Sequence, residues 1–170
     1  MIMPLPNMEH QRIVGFFMRV FYQIFELDGP VLCLPGANVS DRIQGWDKNY
    51  REPDVIVVLE GGQAKECDTH LVGGPDFLVE VISPDDRSRE KLPFYAKLGS
   101  REVLLIDRDP WQLELYQLKR GKLRLVGTAK PGDETKLTSV VLPFSFELLE
   151  GKSRPKIRIR HTEREWAWTN

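Results

Sequence analysis

Apolar positions recur along this chain at two different periods. In residues 7–26, and just beyond at Leu27, the apolar residues Ile13, Phe16, Phe17, Val20, Ile24 and Leu27 form one stripe with the three- and four-residue spacings of an amphipathic helix. Asn7 can cap it, Glu9 and His10 fall in its first turn, and Asp28-Gly29-Pro30 ends it. After that the apolar residues come in short runs. Residues 31–34 and 37–40 read as short strands, and 41–52 as a polar loop. Residues 55–59 and 76–82 are apolar on both faces, which predicts two central strands of a sheet, with a glycine-containing loop over 60–74 between them. Ser83-Pro84-Asp85-Asp86 breaks the second strand. A helix then begins at Ser88 or Arg89, carries Pro93 near its first turn and stops at Gly99.

Residues 102–107 follow that helix as a third buried strand, so strand, short helix and strand predict a parallel crossover. Residues 112–118 and 123–126 alternate apolar with polar around the turn Lys119-Arg120-Gly121-Lys122, which predicts a half-exposed hairpin. Two short strands are expected near 136–142 and 144–148. The pattern is α/β: a mixed sheet with an N-terminal helix, a crossover helix and a C-terminal β-hairpin extension. Residues 1–150 read as one domain and 151–170 as a basic tail. In that tail Lys152, Arg154, Lys156, Arg158, Arg160 and Arg164 face only Glu163 and Glu165, and Trp166 and Trp168 close it.

Composition adds exclusions. The 170 residues are 41% hydrophobic and 29% charged with a net charge of −1, so no global basic field argues for a nucleic-acid partner, and a local patch would have to serve. Cys33 and Cys67 have no paired spacing and read as free thiols rather than a disulfide or a zinc site. No apolar run reaches the ~18–20 residues of a membrane helix. Met1-Ile2-Met3-Pro4 does not open a signal peptide, and a cytoplasmic location is expected.

The chemical anomaly is Glu80, a carboxylate in the middle of the apolar run Phe77-Leu78-Val79-Glu80-Val81-Ile82. A buried carboxylate requires pairing, hydrogen bonds or a cation. Asp54 stands at the start of the preceding apolar strand. If the two carboxylates converge, they suit a hard divalent cation such as magnesium. Otherwise Asp54 caps its strand and Glu80 pairs with a core cation. Lys91 lies near a helix start, where the macrodipole disfavours a cation, so a carboxylate target would offset its position. A solvated lysine balanced by Asp85, Asp86 and Glu90 is the bland alternative.

Pro53-Asp54, then P-D-F-L-V-E-V-I-S-P, E-K-L-P-F-Y-A-K-L-G and E-V-L-L-I-D-R-D-P resemble the Uma-type restriction endonuclease family of the PD-(D/E)XK nuclease superfamily. The resemblance covers the chain from about Glu9 to about Leu148. It implies a restriction-endonuclease-like core, magnesium (manganese as a substitute) and hydrolysis of DNA phosphodiester bonds. It implies that Asp54 and Glu80 are the acidic pair, with the Val81 carbonyl as a third metal donor. The superfamily lysine would stand at position 82, which is isoleucine here, and Lys91 matches the family's displaced lysine by its spacing to Tyr95 and Gly99. Arg87 stands where an aspartate often precedes that lysine. His10 matches a family pattern on the first helix, and Glu9 could supply a further acid there. Arg87, Arg89, Lys97 and Arg101 are candidates for the DNA backbone. Double-strand cutting would suit a homodimer. The competing readings are a catalytically silent nuclease-like scaffold that binds nucleic acid or protein, and a small-molecule enzyme with a carboxylate-held metal.

Overall fold

A computed structural model of the chain describes residues 7–28, 31–83, 86–162 and 167–169. The expected helix stop at Gly29, the balancing charge of Asp85 and the docking of Trp166 lie outside the described residues, and of Trp168 only the backbone is described. The chain runs α1 (Met8–Asp28), β1 (Leu32–Pro35), β2 (Val39–Ser40), a 3-10 turn (Trp46–Lys48), β3 (Tyr50–Arg51), β4 (Val55–Val58), β5 (Lys65–Glu66), β6 (Leu71–Val72) and β7 (Phe77–Val81). A second 3-10 turn (Ser88–Lys91) leads into α2 (Leu92–Leu98), followed by β8 (Glu102–Arg108), β9 (Trp111–Lys119), β10 (Lys122–Ala129), β11 (Leu137–Thr138), β12 (Phe144–Leu149), β13 (Lys156–His161) and β14 (Ala167–Thr169).

The principal sheet has the order β1-β4-β7-β8-β9-β10. Only β7 and β8 pair in parallel, across the α2 crossover, and the other neighbours are antiparallel. The expected mixed sheet, crossover helix and hairpin extension are all present. Asn7 caps α1, its side-chain oxygen accepting the His10 N–H at 2.9 Å. Gly99 ends α2 with φ 84°, the left-handed conformation that glycine adopts without strain. Ser88–Lys91, expected within the helix, is a 3-10 turn instead, and Pro93 then sits in the first turn of the α-helix where its missing N–H costs nothing.

Strand alternation sends side chains to two cores. Val55, Val57, Phe77, Val79 and Val81 face α1, where Phe17, Phe21 and Ile24 are fully buried. Ile56, Leu78, Leu105 and Tyr95 make up the core beneath α2. Two stretches expected as loops contribute short strands, and β3-β2-β6-β5 form a small second sheet flanking that α2 core. Cys33 and Cys67 are free, and burial pushes the Cys33 thiol up to about 12.

The largest departure concerns the basic stretch after Gly151. Lys156–His161 pairs antiparallel with Phe144–Leu149, and Ile157 and Ile159 are fully buried against α1 and Phe146. Arg158 and Arg160 alternate outward on this strand and bind Glu147 at 2.9 Å. Part of the expected tail is therefore a core strand, because two isoleucines at period two bury more favourably than the intervening cations can oppose. Ile157→Ala should lower stability by about 2–5 kcal/mol, the range for opening a core cavity, as read by urea unfolding. An unchanged midpoint would show the strand to be peripheral.

Candidate active site on the β4–β7 pair

Register decides whether the two carboxylates meet. Val55 pairs with Val79, Ile56 with Leu78 and Val57 with Phe77, antiparallel. Extending that ladder by one residue sets Asp54 opposite Glu80. The start of one strand meets the end of the other because they run in opposite directions. The Val81 N–H, beyond the last pair, donates to Asp54 Oδ2 at 2.7 Å. His10 reaches from the first turn of α1, with Nε2 at 2.7 Å from Asp54 Oδ1 and Nδ1 at 3.3 Å from Ser83 Oγ.

Glu80 points to the α2 side and is 1% exposed. Lys91 Nζ donates to Glu80 Oε2 at 2.9 Å, and the Tyr95 hydroxyl donates to Oε1. Lys91 and Tyr95 are four residues apart, at the turn and within α2, so one face of that segment supplies both donors. Burial pushes the Glu80 carboxyl up to about 7. Lys91 and Tyr95 pull against that rise, and the Asp54 charge adds to it. Burial opposes the charge on Lys91, but the carboxylates of Glu80, Asp86 and Asp54 together outweigh it and the ammonium is held above its ordinary value. Tyr95, buried beside the carboxylate, is held well above the usual phenol range and stays a donor.

The turn carrying Lys91 is itself anchored. Arg89 donates to Glu114 at 2.6 Å and to Asp107 at 2.9 Å, both buried carboxylates on neighbouring strands. These bonds raise the Arg89 pKa and tie the 3-10 turn to β8 and β9. Glu114 stands in one row with Leu105 and Glu80 across the sheet. On the α1 side, Arg108 donates to the Ile82 carbonyl at 3.3 Å and to Glu9 at 3.2 Å.

The structure thus brings Asp54, Glu80, Lys91, His10 and the Val81 backbone together. Glu9 is not among them: it pairs with Arg108 and Arg154, one turn position outside the cluster. Of the cations expected at a DNA backbone, Arg89 is spent on Glu114 and Asp107. Arg87 is exposed and 3.7 Å from Glu90. Lys97 pairs with Asp41 and Arg101 with Asp76, at the opposite end of β7 from Glu80. Tyr95, Ser83 and Arg108 escaped the sequence reading. Tyr95 was legible from its four-residue spacing to Lys91, whereas Arg108 carries no local signal.

Asp54 and Glu80 offer oxygen donors only, and the mutual repulsion of the two carboxylates is eased by a positive charge. That chemistry fits a small hard cation that keeps several waters. Among the described residues, no group of three or more His, Cys, Asp or Glu side chains is placed to hold a metal, so these residues supply at most the two carboxylates.

Glu80 should leave a pH signature in stability. A carboxyl raised in the folded state binds its proton more tightly there than in the unfolded chain. Metal-free stability should therefore fall as pH rises from about 4.5 to about 7, a slope that Glu80→Gln removes in thermal scans. Tyr95→Phe deletes a donor that favours the ionised form, so it should move the upper end of that slope to higher pH.

The model of the Uma2 family, described as "Putative restriction endonuclease", matches residues 1–149. No curated protein matches the chain. Among solved structures, a chain described as a putative nuclease belonging to DUF820, from Anabaena variabilis ATCC 29413, is similar with a TM-score of 0.58. It is 17% identical, and the match covers 74% of this chain and 70% of that one. At that identity the likeness speaks for the fold, which is restriction-endonuclease-like.

Proposed function

As this chain belongs to the Uma2 family of restriction-endonuclease-like proteins, we propose that it hydrolyses DNA phosphodiester bonds with a divalent cation, magnesium or manganese, at the Asp54–Glu80–Lys91 cluster. The observation that carries this reading is the antiparallel register that sets Asp54 opposite Glu80 while Lys91 Nζ stands 2.9 Å from Glu80.

Asp54, Glu80 and the Val81 carbonyl are the donors that would hold the cation. When bound, the cation lowers the pKa of a water and neutralises charge on the phosphate. Glu80 must be ionised for this, which its upward shift to about 7 delays to neutral pH. Tyr95 holds one Glu80 oxygen and keeps the carboxylate in one orientation. His10 and the Val81 N–H do the same for Asp54. Lys91 is buried enough to hold its stem and charged enough to orient the attacking water and to offset the charge developing on the phosphate oxygens. The water oxygen bonds to phosphorus as the bridging P–O bond breaks, and the proton it gives up ends on the departing hydroxyl. The chain needs no nucleophile of its own for this reaction.

A second reading rests on the same network. Both carboxylates are already satisfied by donors of the chain, as a structural cluster in a catalytically silent binding scaffold would be. Cleavage separates the two. Wild-type protein incubated with supercoiled plasmid or single-stranded DNA should cut in magnesium or manganese and stop with EDTA. Asp54→Ala and Lys91→Ala should each lose on the order of 10²–10³ in rate. An inactive wild type, or mutants that cut equally, overturns the nuclease reading. Protons and the cation compete for Glu80, so the magnesium concentration needed for half-maximal cutting should rise as pH falls below about 7, and no such rise would remove Glu80 from the cation site.

A further inference from the structure

Beside α1 lies a groove that the cluster above does not use. It has a volume of about 680 Å³ and is lined by Arg12, Gly15 and Arg19 of α1 and by Arg154 and Lys156 at the entry to β13. Arg12, Gly15 and Arg19 are three and four residues apart, so they share one helix face. Its one carboxylate, Glu9, is taken by Arg108 and Arg154. Among the described residues no carboxylate pairs with Arg12, Arg19 or Lys156. In a chain whose net charge is −1, this is a local concentration of cations of which, among the described residues, only Arg154 has a carboxylate partner.

The helix wall is bare at its centre. A Cβ placed on Gly15 would meet nothing within 4 Å, so a partner can approach the helix backbone there. Arg12 and Arg19 are separated by roughly 10 Å along the axis at 1.5 Å per residue. A single small anion cannot reach both, whereas consecutive phosphates of a nucleic-acid strand can. A chain of contacts links the groove's rim to the end of the Glu80 strand. Glu9 on its rim binds Arg108, and Arg108 binds the Ile82 carbonyl at the end of the Glu80 strand.

We propose that this groove binds the phosphodiester backbone of the substrate DNA duplex. The identification of the polyanion rests on the nuclease reading above. The contacts are to phosphate, so they carry affinity and salt dependence rather than sequence preference.

The test is fluorescence anisotropy of the full chain with a labelled DNA duplex in EDTA, where no cutting intervenes, over a salt series. Gly15→Glu adds a negative charge where there is room for it, and the pair Arg12→Gln/Arg19→Gln removes two cations. Each variant should bind at least about tenfold more weakly at ~100 mM salt, and the arginine pair should reduce the slope of log K against log salt by about two. Thermal melts establish that the variants fold, and should Gly15→Glu not fold, the arginine pair decides. Binding equal to wild type overturns the proposal. So does a loss no greater than that of Lys65→Gln, the same kind of charge change on the exposed β5 strand. A wild type that binds but never cuts sinks the nuclease reading and leaves the groove. One that cuts while the groove variants bind normally does the reverse.

Discussion

Burial of the Glu80 carboxylate organises this structure. A charge almost without solvent in the middle of a sheet costs several kcal/mol unless it is paired and its lone pairs are filled. Lys91 and Tyr95 meet both conditions, and they can do so only if the segment carrying them lies across the end of β7. Arg89 then ties the preceding turn to Glu114 and Asp107, so the lysine is delivered from an anchored backbone. A cation at a helix start, unfavourable by the macrodipole alone, is tolerated because the carboxylate it reaches is buried.

The opposite side of the cluster is built by α1. That helix is held to the sheet by aromatic side chains, with Phe17, Phe21, Phe77 and Phe146 all fully buried. Its first turn projects past the sheet, where His10 meets Asp54 and Glu9 meets Arg108. The two carboxylates are thus oriented from separate elements, Asp54 by α1 and the β7 backbone, Glu80 by the turn and α2. A rigid apolar body and a polar rim share the same helices, and the cluster sits where the interior β4–β7 ladder ends.

Much of this was legible in the residues. Strand and helix periods located the helices and the strands of the principal sheet, and an acid inside an apolar run marked Glu80 without any structure. What was not legible has physical causes. Formal charge made Arg89, Lys97 and Arg101 look like surface contacts for a polyanion, but charge does not reveal its partner: Arg89 meets Asp107 and Glu114 on β8 and β9, Lys97 pairs with Asp41 and Arg101 with Asp76. The cations after Gly151 masked the period-two isoleucines of β13, although Ile157 and Ile159 stood in plain alternation.

The sequence by itself determined the helices, the principal-sheet strands, their order and the chemical types available: two carboxylates in apolar strands, a misplaced lysine and a histidine in the first turn of a helix. These are local properties, carried by spacing and solvation cost. Only the tertiary structure decided that Asp54 and Glu80 meet, that His10 belongs with them and Glu9 does not, and that Tyr95 fills the second oxygen of Glu80. Register and long-range pairing depend on which strands become neighbours. That is settled by the packing of the whole core and leaves no trace in the residues on either side.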